Sequence, residues 1–392
     1  MEKFIRYTGI TLIILLIMAF SLSIIIPGEN TKINGYEEKP LDYGWFNIEE
    51  NRTIPTSELI ILPGETVNIK RRVDKAYTEG LKLCYKDPGS HIICYSNGRK
   101  IYEAGLNGHE KFGQEVSNVW RCITLQGIKE KSEIRLEIEN NTSHKMRLDF
   151  TKMFYCNEEL VHLKILQEST FHLFIFFFCL TAFITIIIFS FGLKVSSLKK
   201  YCKTTFPLAG LTICIGLWVI SDSTFLQLFF HSPSVRYYLA YSSFFLIPYF
   251  LILHYMGMTG ENRKPFIYLI NSYCLIVFII LVINLLNLIH ISKSIFVIYG
   301  YLIIALIALG IICIRQYIKF KVFNVLLPFI CYILLFILIV IALLFYYFVD
   351  RGPVSIAVGM GFIIYNIATQ IVGGFHILKQ IKNTPNTKTD GE

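Results

Sequence analysis

Apolar and polar positions divide this chain into blocks that follow different rules. Residues 8–26 are apolar, residues 27–170 are polar with runs alternating every second position, and residues 171–378 are almost continuously hydrophobic apart from short charged loops. A helix needs about 20 apolar residues to cross about 30 Å of hydrocarbon. Stretches near that length occur at 8–26, 171–193, 204–221, 235–258, 266–289, 294–314, 323–349 and 353–378. Between Thr224 and Phe230 the chain either extends the third stretch or lies as an amphipathic piece at the membrane surface. The expected organisation is a short N-terminus with a signal-anchor helix (1–26), a β domain (27–170), a seven-helix transmembrane bundle (171–378) and a short tail (379–392).

Period-two alternation in the polar block predicts strands at 59–62, 66–73, 81–86, 91–96, 100–102, 119–125, 133–139 and 146–154. Turn signals separate them: Pro63-Gly64, Asp87-Pro88-Gly89, Asn97-Gly98 and Asn107-Gly108. Asn97-Gly98 between apolar runs predicts a type I′ hairpin, because both central residues must adopt positive φ. Many short strands in one block favour an all-β sandwich of the jelly-roll type. The fold class expected is therefore a mixed membrane protein, with an extracytoplasmic sandwich joined to a helical bundle.

Charge changes the picture by its placement. The net charge of +9 invites a nucleic-acid reading, yet residues 27–170 hold 20 of the 37 Lys/Arg and 22 of the 28 Asp/Glu. The excess basicity falls in loops between apolar stretches, which removes the nucleic-acid reading. Lys3 and Arg6, then Lys194, Lys199, Lys200 and Lys203, then Arg263 and Lys264, then Arg315, Lys319 and Lys321, and finally Lys379, Lys382 and Lys388 all fall on one side. The opposite loops offer Arg236, Lys293 and Arg351. Positive residues stay inside, so the expectation is a multi-pass plasma-membrane protein with both termini cytoplasmic and 27–170 outside. The first apolar run is long and lacks a small-x-small site before Pro27, which favours an uncleaved anchor over a removed signal peptide.

Four cysteines, Cys84, Cys94, Cys122 and Cys156, fall in the exported block and allow three pairings. Cys84 and Cys94 flank the Asp87-Pro88-Gly89 turn and are the candidate disulfide. Four buried thiols acting as small hydrophobes is the alternative. The cysteines lack metal-ligand spacing, the carboxylates are not spaced as a catalytic pair, and neither a cofactor nor a metal is expected.

The run Leu83-Cys84-Tyr85, then His91-Ile92-Ile93-Cys94-Tyr95-Ser96-Asn97-Gly98-Arg99-Lys100-Ile101-Tyr102, leads through a glycine-bearing loop to Val119-Trp120-Arg121-Cys122-Ile123 and a last strand entering the bundle. With Trp218-Val219-Ile220-Ser221-Asp222 and a Tyr-rich fourth span carrying Pro248, it resembles the bacterial seven-transmembrane receptors with diverse intracellular signalling modules. The resemblance covers nearly the whole chain. It implies a jelly-roll module that binds a small glycan or envelope-derived ligand, and a cytoplasmic kinase, phosphatase or cyclic-nucleotide enzyme as output. Trp45, Tyr95, Tyr102 and Trp120 are the candidate platform residues, since aromatic faces pack on the C–H patches of sugars. A strand aromatic is more often core.

Polar residues inside spans are costly and so are weighed singly. Asp222 at the outer end of the third span and Arg236 at the outer start of the fourth are a candidate pair across that loop, or are each wetted at the interface. Asn366 and Gln370 share a face of the last span at i and i+4, where they either transmit a shift or simply bind helices together. Residues 379–392 contain no nucleotide loop, helical-hairpin histidine or cyclase signature. The expected function is thus a sensory subunit working through a separate cytoplasmic kinase or cyclase. A non-signalling binding or structural protein of the cell envelope is the alternative, and a small-solute transporter a weaker one. Oligomeric state is left open.

Overall fold

A computed structural model describes residues 41–383, leaving aside 42–43, 55–57, 74–81, 88, 106–118, 126–130, 142–144, 157, 196–200, 231–232, 260–262, 287, 289–290 and 321–353 other than Ile330, Ile333 and Ile337. The expected span at 8–26 lies outside the described residues, as does that at 323–349 apart from Ile330, Ile333 and Ile337. The chain divides into two compact units. One is the β unit, up to Thr170, together with Ser221–Leu239; the other takes Phe171–Ile220 and everything from Ala240 onward.

In the β unit the strands are β1 (Phe46–Asn47), β2 (Arg52–Thr53), β3 (Glu58–Ile61), β4 (Thr66–Arg72), β5 (Lys82–Asp87), β6 (His91–Ser96), β7 (Arg99–Ala104), β8 (Val119–Thr124), β9 (Glu133–Glu139), β10 (Met146–Asp149) and β11 (Met153–Cys156). They form a six-stranded sheet in the order β2-β1-β4-β9-β6-β7, a pair β10-β3, and a three-stranded sheet β11-β5-β8. Every pairing is antiparallel. Strict alternation makes this a sandwich. In β9, Ile134, Leu136 and Ile138 are buried while Glu133, Arg135, Glu137 and Glu139 are half-exposed. Ile69, Ile92 and Leu136 of the large sheet meet Leu83, Tyr85 and Ile123 of the three-stranded one and Ile61 and Leu148 of the pair. Burying such side chains contributes roughly 1.5–3 kcal/mol each, which is what holds the layers face to face.

Local chemistry sets the corners. Asn97 (φ 48°) and Gly98 (φ 82°) join β6 to β7 with both central residues in the positive-φ region, as a type I′ turn requires. The single strand expected at 146–154 is broken in two. Asp149 accepts hydrogen bonds from the Thr151 amide (3.0 Å) and hydroxyl (2.5 Å), which caps a 3-10 turn over Phe150–Lys152. Between Thr224 and Phe230 the chain contains another 3-10 turn, Phe225–Leu228.

The helices are α1 (Glu158–Val195), α2 (Cys202–Asp222), α3 (Pro233–Thr259), α4 (Lys264–Leu285), α5 (Ile291–Phe320) and α6 (Val354–Asn383). Among the described residues four are long and apolar enough to cross a membrane: Glu159–Leu193, Cys202–Asp222, Val235–Met258 and Lys264–Asn284. The apolar parts of α5 and α6 are shorter, Val297–Ile312 and Ser355–Ile371. The chain is therefore a β-sandwich joined to membrane-type helices. The largest departure from the expected layout is α1, which begins at Glu158 rather than near 171.

Candidate functional site

The two outer faces of the sandwich define two candidate surfaces. Outward residues of the six-stranded sheet line up in cross-strand rows. Register places Phe46 beside Lys70, Lys70 beside Arg135, and Arg135 beside Tyr95. Lys70 Nζ lies 5.7 Å from the Phe46 ring centre and the Arg135 guanidinium 4.2 Å from that of Tyr95, so two neighbouring cations are flanked by an aromatic ring on each side of the row. In the next row Asn68 stands beside Glu137 and Glu137 beside Ile93. The Tyr95 hydroxyl donates to Glu137 (3.3 Å), and Arg135 reaches the same carboxylate at 3.7 Å. His91 sits between Glu139 (3.2 Å) and Glu103 (3.4 Å). Hydrogen bonds from Lys100 first and from His91 after it hold Glu103 below the usual carboxylate range, against a smaller opposing effect of burial. This half-exposed face offers donors and acceptors around the Tyr95 ring.

The outer face of the three-stranded sheet is apolar and covered. Cys84, Trp120, Phe154 and Cys156 pack against Val161 and Ile165, which are one turn apart on the first part of α1. Lys164 of the same helix lies 3.8 Å from the Phe154 ring centre, and Trp120 meets Phe154 at 5.6 Å. Glu168 accepts from Lys86 Nζ (2.7 Å) and from the Trp120 indole N–H (3.2 Å). Trp120 is held a second time through its backbone. Its amide donates to Gln227 Oε1 at 3.0 Å and its carbonyl accepts from Gln227 Nε2, as a neighbouring strand would provide. Gln227 belongs to the 3-10 turn between α2 and α3, and Leu228 adds an apolar contact.

One end of β5 is fixed by a buried charge. Asp87 accepts from the Gly89 amide (3.0 Å), the Ser90 amide (2.7 Å) and the Ser90 hydroxyl (2.7 Å), and pairs with Arg121 of β8. Burial works to lower the Arg121 pKa, but the Asp87 carboxylate together with Tyr85 and Tyr102 outweighs it and holds the guanidinium above its ordinary value.

In the helical unit a hydrogen-bonded chain crosses between elements far apart in sequence. Gln370 donates to Asn366 (2.5 Å), Asn366 to Thr212 of α2 (2.8 Å), and Thr212 to the Leu208 carbonyl (2.7 Å). His254 of α3 is fully buried and meets the Thr204 carbonyl of α2 at 3.0 Å. One turn on, a Cβ at Gly257 would stand 2.3 Å from the Lys203 carbonyl oxygen, so α2 and α3 approach too closely there for any other residue.

The sequence-nominated residues distribute unevenly over these surfaces. Trp45 is 2% exposed, stacked at 5.7 Å on Phe150, with its indole N–H on the Leu41 carbonyl. Trp120 is 3% exposed within the covered face. Tyr102 packs against the sandwich core, which leaves Tyr95 as the candidate on the open face. Arg236 is 1% exposed and donates to the Ser223 carbonyl at 3.4 Å, while Asp222 is exposed. Asn366 and Gln370 meet each other, as a shared helix face allows, and Asn366 reaches α2. Cys84 and Cys94 lie in different sheets, and the thiol beside Cys84 is Cys122, at 3.0 Å. Sequence reasoning missed Glu168, Gln227 and Thr212. The apolar spacing Val161/Ile165 is a signal that could have placed a helix ahead of residue 171. Among the described residues no three His, Cys, Asp or Glu side chains are arranged so that they could hold a metal ion. No family model matches the chain, and no curated protein matches it.

Proposed function

We propose that this chain is a membrane sensory receptor subunit. Its sandwich, of jelly-roll type and outside the cell, binds a hydroxyl-rich ligand such as a glycan or envelope fragment on the open face around Tyr95. Its helices form a seven-span bundle that passes the change to a cytoplasmic effector of the kinase or cyclase class. The observation that carries this reading is the double grip on Trp120. Strand β8 is fastened through Glu168 to the helix that runs on into the first apolar span, and through Gln227 to the connection between α2 and α3. A displacement of β8 is therefore felt at two chain segments that continue into apolar helices. Such a signal requires a ligand with different affinities for two arrangements of the same contacts. The row of donors and acceptors on the open face supplies the groups that would bond hydroxyls, and loop charge supports the outward placement.

The test is mild cross-linking of the tagged full chain in its native membranes, then purification and mass spectrometry, beside a variant lacking 379–392. The expected result is a cytoplasmic kinase or cyclase recovered with the intact chain and lost with the variant. Recovery of envelope proteins or further copies of the chain alone would overturn the reading in favour of a non-signalling envelope-binding protein. Solute-dependent uptake into vesicles would favour a transporter instead.

A further inference from the structure

Three thiols converge on the covered face of the three-stranded sheet. Cys84 of β5 and Cys122 of β8 are direct partners across the antiparallel ladder, with Sγ atoms 3.0 Å apart. Directly opposed residues of such a ladder have Cα atoms about 4.5–5.5 Å apart. That lies within the roughly 4.4–6.8 Å that a disulfide spans. Cys156, the last residue of β11, belongs to the same buried cluster and lies on the other side of β5, two residues beyond Phe154, the direct partner of Cys84. Cys84 and Cys156 are fully buried, whereas Cys122 is partly exposed. Cys94 lies apart, in the six-stranded sheet opposite Tyr102 and Leu136, where burial pushes its thiol up to about 12.

We propose that Cys84, Cys122 and Cys156 form a thiol–disulfide site in which Cys84 is the shared sulfur, bonded to Cys122 when oxidised and able to exchange onto Cys156. The oxidant is a disulfide RSSR, either of a low-molecular-weight thiol or of a thiol–disulfide oxidoreductase. Cys122, the accessible thiol, attacks first and gives Cys122–S–S–R with release of RSH. Cys84 then displaces the second RSH and closes Cys84–S–S–Cys122, so two electrons and two protons leave with the two RSH. Attack of the Cys156 thiolate on Cys84 moves the bond to Cys84–S–S–Cys156 and frees the Cys122 thiol without net oxidation. The Cys84 thiol donates its hydrogen to Cys122, and this bond together with burial holds it well above its ordinary pKa. The two oxidised forms differ in what they tie. One joins β5 to β8; the other joins β5 to the chain two residues before α1 begins. This assignment does not depend on the signalling reading.

The probe is oxidised glutathione applied to the full chain in native membranes, followed by unfolding, alkylation with iodoacetamide and tryptic mapping under non-reducing conditions. Trypsin leaves Cys84, Cys94, Cys122 and Cys156 in four separate peptides, so each linkage has its own mass. The expected result is loss of two of the four alkylation sites as a Cys84–Cys122 linkage that dithiothreitol reverses. In Cys122→Ser, which removes the thiol that attacks first, and in Cys84→Ser, which removes the shared sulfur, neither linkage forms, and a Cys84–Cys156 linkage appears only in the wild type alongside Cys84–Cys122. Full alkylation of all four after oxidation, or a linkage that includes Cys94, would overturn the proposal. The wild-type map decides this even if a serine variant fails to fold.

Discussion

The sandwich has two outer faces built on opposite principles. Over the six-stranded sheet the outward side chains are charged, half-exposed and paired with one another, as with Arg135 between Tyr95 and Glu137. Over the three-stranded sheet they are apolar and covered by the opening turns of α1. Exposed ion pairs contribute about 0–1 kcal/mol each, so the first face can trade its internal contacts for a ligand's at little cost. The second face contains Trp120, Phe154, Val161 and Ile165, and breaking it costs the burial of every member. Recognition suits the first, and holding the adjoining chain suits the second.

The sharpest way to break this contrast is Trp120→Ala. Removing a buried indole should cost about 3–5 kcal/mol, read as a lowered denaturation midpoint of the β unit by circular dichroism of the full chain in micelles. Glu168→Gln should cost about 1–2 kcal/mol, since it removes the charge that accepts from both Lys86 and the Trp120 indole. Loss at the β8 edge in Gln227→Ala should be about 1 kcal/mol and should appear as faster amide exchange at Trp120. Tyr95→Ala on the open face should shift stability by less than about 1 kcal/mol; a loss equal to that of Trp120→Ala would end the distinction between the faces. Acidification gives the smallest effect. Burial raises Glu49, but hydrogen bonds from Asn68 reverse this and leave its pKa lowered. Burial likewise raises Asp149, and Thr151 and Lys152 more than offset it. A carboxylate held below its unfolded value adds stability in full above that value, near 4, and loses it as pH falls through the folded one. A denaturant midpoint constant from pH 7 to 5 and falling below 4 is expected, with the fall reduced in Asp149→Asn.

Much of the sandwich was legible because its signals are local. β6 and β9 occupy the expected residues, and the Asn97-Gly98 turn follows from two residues alone. β1 and β2, two residues each, are too short to carry a period. The early start of α1 was hidden by Glu159, His162, Lys164 and Glu168, which break the apolar run without breaking the helix. Contacts between distant segments were not legible at all. Cys94 seemed the natural partner of Cys84 across a nearby turn, whereas Cys122 is 38 residues away and is brought there by strand order. Asn366 and Thr212, 154 residues apart, meet for the same kind of reason.

Among the described residues strand β7 closes the order of the large sheet, and its outer residues are mostly exposed. The end of a sheet is a template on which a strand from another molecule can add. Arg99, Lys100 and Glu103 decorate this one, and the register shift between Cys94 and Tyr95 in neighbouring β6 bends it. Copies of the chain crowded into one patch of membrane are thereby discouraged from zipping together sheet to sheet, which keeps the charged face beside that edge available as a surface.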